Sequence, residues 1–295
     1  MGAMHRVLAC MALLGAMGAH AAWGATSAPA QAQVLHDQYA SLTDALQRNA
    51  FGRPLVLRSE QAGEHVSGEV FAVVDHSFDT LRAQLSNAAQ WCEVLLLHIN
   101  TKSCRAGPTT ASTSRLTAHF GKKTAQQLAA AARVDFTYRL VARSEQYLHV
   151  SMHAGNGPMA TSNYEISLQA VALDARRSFI RFVYAYDVGF VGQLAMKAYL
   201  ATAGRDKVGF SVEPGADAPV DGLRGVVERN AMRYYLAIDA TLDTANVSPS
   251  KRQREERMNA WFTATEQYKR QLHELDRDEY LAIKRAEFRR ALQPQ

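Results

Sequence analysis

The sequence predicts an α+β domain in which an antiparallel sheet is followed by one long amphipathic helix. Three observations carry this. Residues 134–140, 148–152 and 164–170 alternate apolar with polar side chains. That period of two buries one sheet face and leaves the other wet. A fourth apolar face follows at Ile180, Phe182, Tyr184 and Tyr186. Residues 222–243 then place Val227, Ala231, Tyr234, Tyr235, Ile238 and Leu242 on one helical stripe, with Asp221 as a candidate N-cap.

The remaining elements follow in order. His5 and Arg6 precede an apolar run over 7–18, too short for the roughly 20 residues of a membrane span. Ala19-His20-Ala21 and Trp23-Gly24-Ala25 both fit a small-residue cleavage site. Residues 1–25 therefore read as a secretory signal peptide carrying Cys10, and the mature chain is expected in a periplasm. Residues 26–33 read as a flexible leader and 35–49 as a short helix; together with an extended piece at 54–58 they make an N-terminal region, 26–65. A strand is expected at 66–75, a short helix at 76–87, and a second helical piece led by Ala89-Gln90-Trp91-Cys92-Glu93. Residues 104–114 read as a loop and 115–120 as a strand. Residues 122–133 favour helix locally, with a long turn as the alternative. Gly155-Asn156-Gly157-Pro158 marks a turn. An apolar helix is expected between Gly189 and Gly204, then a last strand at 206–212 and a loop at 214–221. The main domain is drawn at 66–243 and a helical tail at 244–295, one long helix or two broken ones.

Cys92 and Cys104 remain after processing. An even count in an exported chain points to one disulfide, worth about 3 kcal/mol for so short a loop; the alternative is two buried thiols. The pI of 9.1 accompanies a net charge of only +5, which allows a weak attraction to anionic lipid. Without an aromatic and basic stripe, nucleic acid is not an expected partner.

The strand end Val74-Asp75-His76-Ser77-Phe78, leading to Ala89-Gln90-Trp91-Cys92-Glu93, resembles the START-like helix-grip superfamily of polyketide cyclases, lipid-transfer domains and plant allergen-type carriers. The resemblance covers residues 66–243, and its narrower form is an exported proteobacterial subgroup. It implies a curved sheet wrapped around the long helix, with an apolar cavity between them. The cavity is expected to be lined by Phe136, Tyr138, Met152, Tyr164, Ile166, Phe182, Tyr184 and Tyr186 from the strands, and by Ala231, Tyr234, Tyr235 and Ile238 from the helix. The plain alternative is a solid core of the same side chains. Inward tyrosines argue against it, because each buried hydroxyl needs a partner.

Catalytic and metal signatures are weak. His149 and His153 sit on a strand, where i and i+4 lie ~13 Å apart, so one metal cannot join them. His98 reads as a structural histidine. No G-x-S-x-G elbow occurs, and Gly222-Leu223-Arg224-Gly225 lacks the features of a phosphate loop. Arg224 and Glu228 read as an i,i+4 surface pair; Glu228 or Arg229 turned inward could hold a ligand's polar head, and Asp187 or Asp239 could act as acid or base. The expected function is a non-enzymatic carrier of a hydrophobic small molecule or lipid, with no cofactor and no metal. The alternatives are a cyclase or isomerase using a pocket Tyr, Asp or Glu, and an interaction module acting through its tail. The helix between Gly189 and Gly204 reads as a lid or membrane contact, with Phe190, Val191, Leu194, Met196, Tyr199 and Leu200 on its apolar faces; the alternative is a helix packed on the sheet edge.

Overall fold

The computed structural model describes residues 28–202, 205, 207–248 and 250–292. The signal peptide read at 1–25 lies outside them.

Eight antiparallel strands form one curved open sheet in the order β1-β2-β8-β7-β6-β5-β4-β3. They are β1 (Leu55–Ala62), β2 (His65–Val74), β3 (Thr101–Ala106), β4 (Thr113–Phe120), β5 (Ala132–Arg143), β6 (Tyr147–Asn156), β7 (Thr161–Ala172) and β8 (Ser178–Val188). The alternating faces are as expected. Val134, Phe136, Tyr138, Val150, Met152, Ile166, Leu168, Ile180 and Phe182 point into the main core. The extended piece at 54–58, a candidate edge strand, is the start of β1, which runs on to Ala62 and pairs with β2 at the edge of the sheet.

Between β2 and β3 lie α2 (Phe78–Leu85) and α3 (Ala88–Leu97). Ser77 and Asn87 cap them: the Ser77 hydroxyl accepts from the Thr80 amide at 3.3 Å, and the Asn87 side-chain Oδ1 from the Ala89 amide at 2.8 Å. Trp91 is buried, and its indole N–H donates to the Leu85 carbonyl at 2.7 Å. The Trp of the sequence motif thus ties the end of α2 to α3. Cys92 on α3 is disulfide-bonded to Cys104, which lies on β3 and not in the loop expected at 104–114.

Helix α5 (Gly222–Asp243) matches the expected 222–243. Asp221 stands at the N-cap position, but its side chain makes no cap bond. The helix crosses β1, β2 and β8 on the inner face. Gly68 makes that approach: a Cβ there would lie 3.1 Å from Ala231 Cβ and 3.2 Å from the Val227 carbonyl. The helix between Gly189 and Gly204 is α4 (Phe190–Ala201).

Four expectations are corrected. Residues 28–33, read as leader, open α1 (Ala28–Gln47). Ala and Gln favour helix, and Pro29 sits in the first turn, where its missing N–H costs nothing. This helix covers the outer face of the sheet, burying Leu35, Leu42 and Leu46 against Phe71, Tyr147, Val171 and Phe179. Residues 122–133 are not a helix: the chain turns through a short 3₁₀ segment, Leu128–Ala130, into β5. No strand forms at 207–212, where an isolated bridge joins Val212 to Pro219. That segment is instead held by Glu228 of α5. Finally, Arg224 and Glu228 are not a surface pair, since Glu228 is buried and Arg224 turns to Glu213.

The tail breaks into α6 (Ser250–Glu266), the single turn α7 (Lys269–Leu272) and α8 (Arg277–Leu292). It docks on the domain. Met258, Trp261, Phe262, Leu272 and Tyr280 join the main core. The Trp261 indole N–H donates to the Arg233 carbonyl of α5 at 3.0 Å, and the Tyr280 hydroxyl to the Leu97 carbonyl at 3.0 Å. A buried ionic triad completes the joint: Glu287 lies 3.0 Å from Lys102 of β3 and 2.7 Å from Lys284. The Lys284 ammonium also donates to the carbonyls of His98 and Thr101, at 2.7 and 2.9 Å.

Candidate functional site

The strand register places Ser114, Tyr138, Met152, Ile166, Tyr184 and Gly68 in one row across the sheet. The pleat turns their side chains to the inner face. Tyr164 and Tyr186 stack at 5.2 Å between ring centres, and Tyr184 lies 5.6 Å from Tyr186. Phe136 meets Tyr164 edge-on at 6.4 Å. From α5, Tyr234 closes on Tyr184 at 5.3 Å and Phe182 at 6.3 Å. Ala231 sits over Gly68, and Ile238 is buried further along the same stripe. Strand and helix candidates thus converge. Tyr235 does not join the ring cluster: its hydroxyl faces Arg53 at 3.5 Å, beside the Arg53–Asp239 ion pair of 2.8 Å.

The rings touch one another. Neither hollow described below is lined by any of the twelve residues. One is a crevice of about 10 Å³ between α5 and the tail, bounded by Arg233, Trp261 and Tyr280. The other, about 310 Å³, opens at β3, β4 and β5 and is lined by Arg105, Arg115 and Arg133 among others.

Hydroxyls at this inner face are unevenly satisfied. The Tyr164 hydroxyl lies 2.8 Å from Thr161 Oγ1. The Tyr138 hydroxyl is buried and has no hydrogen-bond partner. Burial pushes the Tyr138 phenol up to about 12 and holds Tyr184 well above its ordinary value. These tyrosines keep their protons at neutral pH and act as donors, not bases.

The acids weighed from the sequence are committed elsewhere. Glu228 accepts from the Ser59 hydroxyl at 2.6 Å, from the amides of Phe210 and Ser211 at 2.5 and 3.0 Å, and from the Ser211 hydroxyl. It fastens the 207–213 segment and β1 to α5. Asp187 pairs with His65 and Asn163 at 2.8 and 2.7 Å. His98 is structural. It stacks on Tyr234 at 4.7 Å, its Nδ1 accepts from the Asn100 amide, and burial beside Arg233 and Lys284 holds it neutral, well below its ordinary value. Sequence reasoning missed one cluster: single ligand atoms of His76, Asp239 and Asp243 lie within 4.8 Å of one another. Arg53 already neutralises Asp239 there, and His76 pairs with Asp243 at 3.0 Å. Nothing in the sequence brings residue 76 next to residue 243.

On α4, Phe190 and Leu194 are exposed, beside an exposed Met159 in the β6–β7 turn. The side chains of Val191, Tyr199 and Leu200 lie outside the described residues. Among the described residues no helix is long and apolar enough to cross a membrane.

The strand order, the two short helices after β2 and the long helix on the inner face define an α+β helix-grip protein. No protein-family model matches the chain, and no curated protein matches it in sequence. Solved structures of similar shape include the ZhuI aromatase/cyclase from Streptomyces sp. R1128, with 14% identity over 61% of this chain and 93% of that one, at a TM-score of 0.39. Human StAR-related lipid transfer protein 5 shares 8% identity over 72% of this chain and 97% of its own, at 0.37. Norcoclaurine synthase from Thalictrum flavum shares 14% over 50% and 91%, at 0.32. These neighbours belong to the START-like helix-grip superfamily named from the sequence. At such values the likeness says nothing about activity, and the fold assignment rests on the architecture itself.

Proposed function

We propose that this chain is an exported carrier of a hydrophobic small molecule or lipid, held between the inner sheet face and α5. The observation that carries the reading is the buried Tyr138 hydroxyl with no partner, set in a face of mutually packed aromatic rings. A buried hydroxyl left unpaired costs about 1–3 kcal/mol. A ligand acceptor seated at Tyr138 would recover that cost, and the surrounding rings would cover the ligand's apolar body at about 25 cal/mol per Å². Because the rings fill the space, entry requires Tyr164, Tyr184 and Tyr186 to swing apart. The exposed Phe190, Leu194 and Met159 mark the rim where a membrane contact would deliver the ligand. Carriage is favoured over catalysis because Glu228 and Asp187 are bound away from the tyrosines.

Native mass spectrometry and solvent extraction of the purified protein test this directly. A stoichiometric apolar molecule is expected. A protein that arrives empty, and whose melting point no sterol, fatty acid or aromatic compound raises, overturns the reading. Tyr138→Phe sharpens it: the empty protein should melt at the same temperature or higher, while ligand affinity falls about tenfold. Fractionation of cells expressing the full chain checks export.

A further inference from the structure

Tyr138 is 2% exposed, and its hydroxyl has no hydrogen-bond partner. The strand register surrounds it with uncharged neighbours. Ser114 of β4 and Met152 of β6 stand directly opposite it, and Phe136 and Leu140 flank it on β5. Ser114 is already satisfied, since its Oγ lies 2.7 Å from Thr109 Oγ1. The charged residues of this stretch of β5, Arg133, Asp135 and Arg139, are exposed on the other face, as a period of two requires. Among the described residues no charged side chain acts on the Tyr138 phenol: burial alone raises it, to about 12. At neutral pH it is therefore a proton donor in an apolar, uncharged setting.

Cations do approach the inner face at α5, but they are committed. Arg229 donates to the Val208 carbonyl at 3.1 Å, and Arg233 to Glu274 at 2.6 Å. Their charge is felt at Tyr186 and Tyr234, where it opposes the upward push of burial, and not at Tyr138. Strand β8, which carries Tyr186, lies three strands from β5, a separation of about 14 Å.

The charge of a ligand's buried end therefore decides whether Tyr138 can hold it. An uncharged carbonyl or ether oxygen supplies the missing acceptor and gives up only the water bonded to it. A carboxylate or phosphate accepts the same single bond but leaves its charge buried with no cation opposite, a far larger desolvation cost. A hydrocarbon end leaves the hydroxyl as unpaired as before. We infer, on the strength of the carrier reading above, that the molecule held between the inner sheet face and α5 is neutral and enters with a carbonyl or ether oxygen leading, which Tyr138 receives. Free fatty acids and other anionic amphiphiles are rejected.

Three probes that share an undecyl chain test this: methyl undecyl ketone, dodecanoate and tridecane. Each is radiolabelled and partitioned at neutral pH between the full chain and cyclodextrin, with its own affinity for cyclodextrin measured separately. The ketone is expected to bind about tenfold more tightly than tridecane and about a hundredfold more tightly than dodecanoate. In Tyr138→Phe the ketone should fall to the level of tridecane, while tridecane binds as before; a merely structural role for Tyr138 would weaken both alike. Mass spectrometry of the molecule extracted from the purified protein gives a second readout, and that molecule should be neutral and oxygen-bearing. Dodecanoate that binds as well as the ketone, an extracted anion or hydrocarbon, or equal loss of ketone and tridecane in the variant overturns the inference and leaves the carrier reading standing. A chain that arrives empty and takes up none of the three probes overturns both.

Discussion

Lys102, Glu287 and Lys284 are fully or almost fully removed from water, two cations around one carboxylate. Backbone carbonyls of Ile99, Thr124, His98 and Thr101 absorb the surplus positive charge. Removing the central carboxylate leaves two buried cations unpaired, so Glu287→Gln is expected to cost about 3–5 kcal/mol in urea denaturation. Burial lowers the Lys284 ammonium to about 8. Between pH 8 and about 10 the unfolded chain holds a proton there that the folded chain has released, so stability rises with pH. The slope from this one group is at most about 1.4 kcal/mol per pH unit. Above about pH 10 the buried tyrosines reverse the trend, because the folded state keeps protons that the unfolded chain loses. Denaturation curves across this window should show the rise in the parent chain and a flatter profile in Lys284→Met. None of this was legible in the sequence. A run of alternating charges in the tail does not say which of them is buried, and the backbone carbonyls that receive Lys284 belong to His98 and to Thr101 of β3, far away in the chain.

At the scale of elements, α5 and the tail depend on each other. Trp261 packs on Tyr280 at 4.9 Å and bonds back to α5, while Glu274 takes Arg233 of α5 at 2.6 Å and Lys123 at 2.7 Å. Removing residues 245–295 would uncover this surface and take Glu274 away from Arg233 and Glu287 away from Lys102. The truncated chain is expected to lose cooperative thermal unfolding, and a truncated chain that melts cooperatively would show the tail to be an accessory. The contact between β2 and α5 is set by Gly68. Gly68→Val would force the helix outward at Ala231 and Val227, at a cost of about 1–3 kcal/mol, read from the urea midpoint. The helix itself, the strands from β4 to β8 and the two short helices are legible from periodicity and caps. The third strand is not, because Thr101–Ala106 is short and runs into a Gly, Pro, Ser and Thr-rich stretch. The expected strand at 206–212 fails for another reason: its backbone amides at Phe210 and Ser211 are taken by Glu228 instead of a neighbouring strand.

At the scale of the molecule, the sheet separates two environments. Its inner face carries packed aromatic rings under α5, and its outer face carries α1 over one part and a basic groove over the rest. A ligand that binds only the folded chain stabilises it by mass action, so a bound apolar molecule should raise the melting temperature in a concentration-dependent way. Alternation and amphipathic spacing are local properties. The sequence by itself therefore determined the strand faces, the long helix, the inward direction of Tyr138, Tyr164, Tyr184 and Tyr186, and the α+β class. Contacts between distant residues are another matter, because burial and electrostatics depend on what the folded chain places opposite each group. Only the tertiary structure decided that Tyr235 turns to Arg53, that the rings close on one another, that Glu228 clamps a loop, and that three arginines from adjacent strands share one groove.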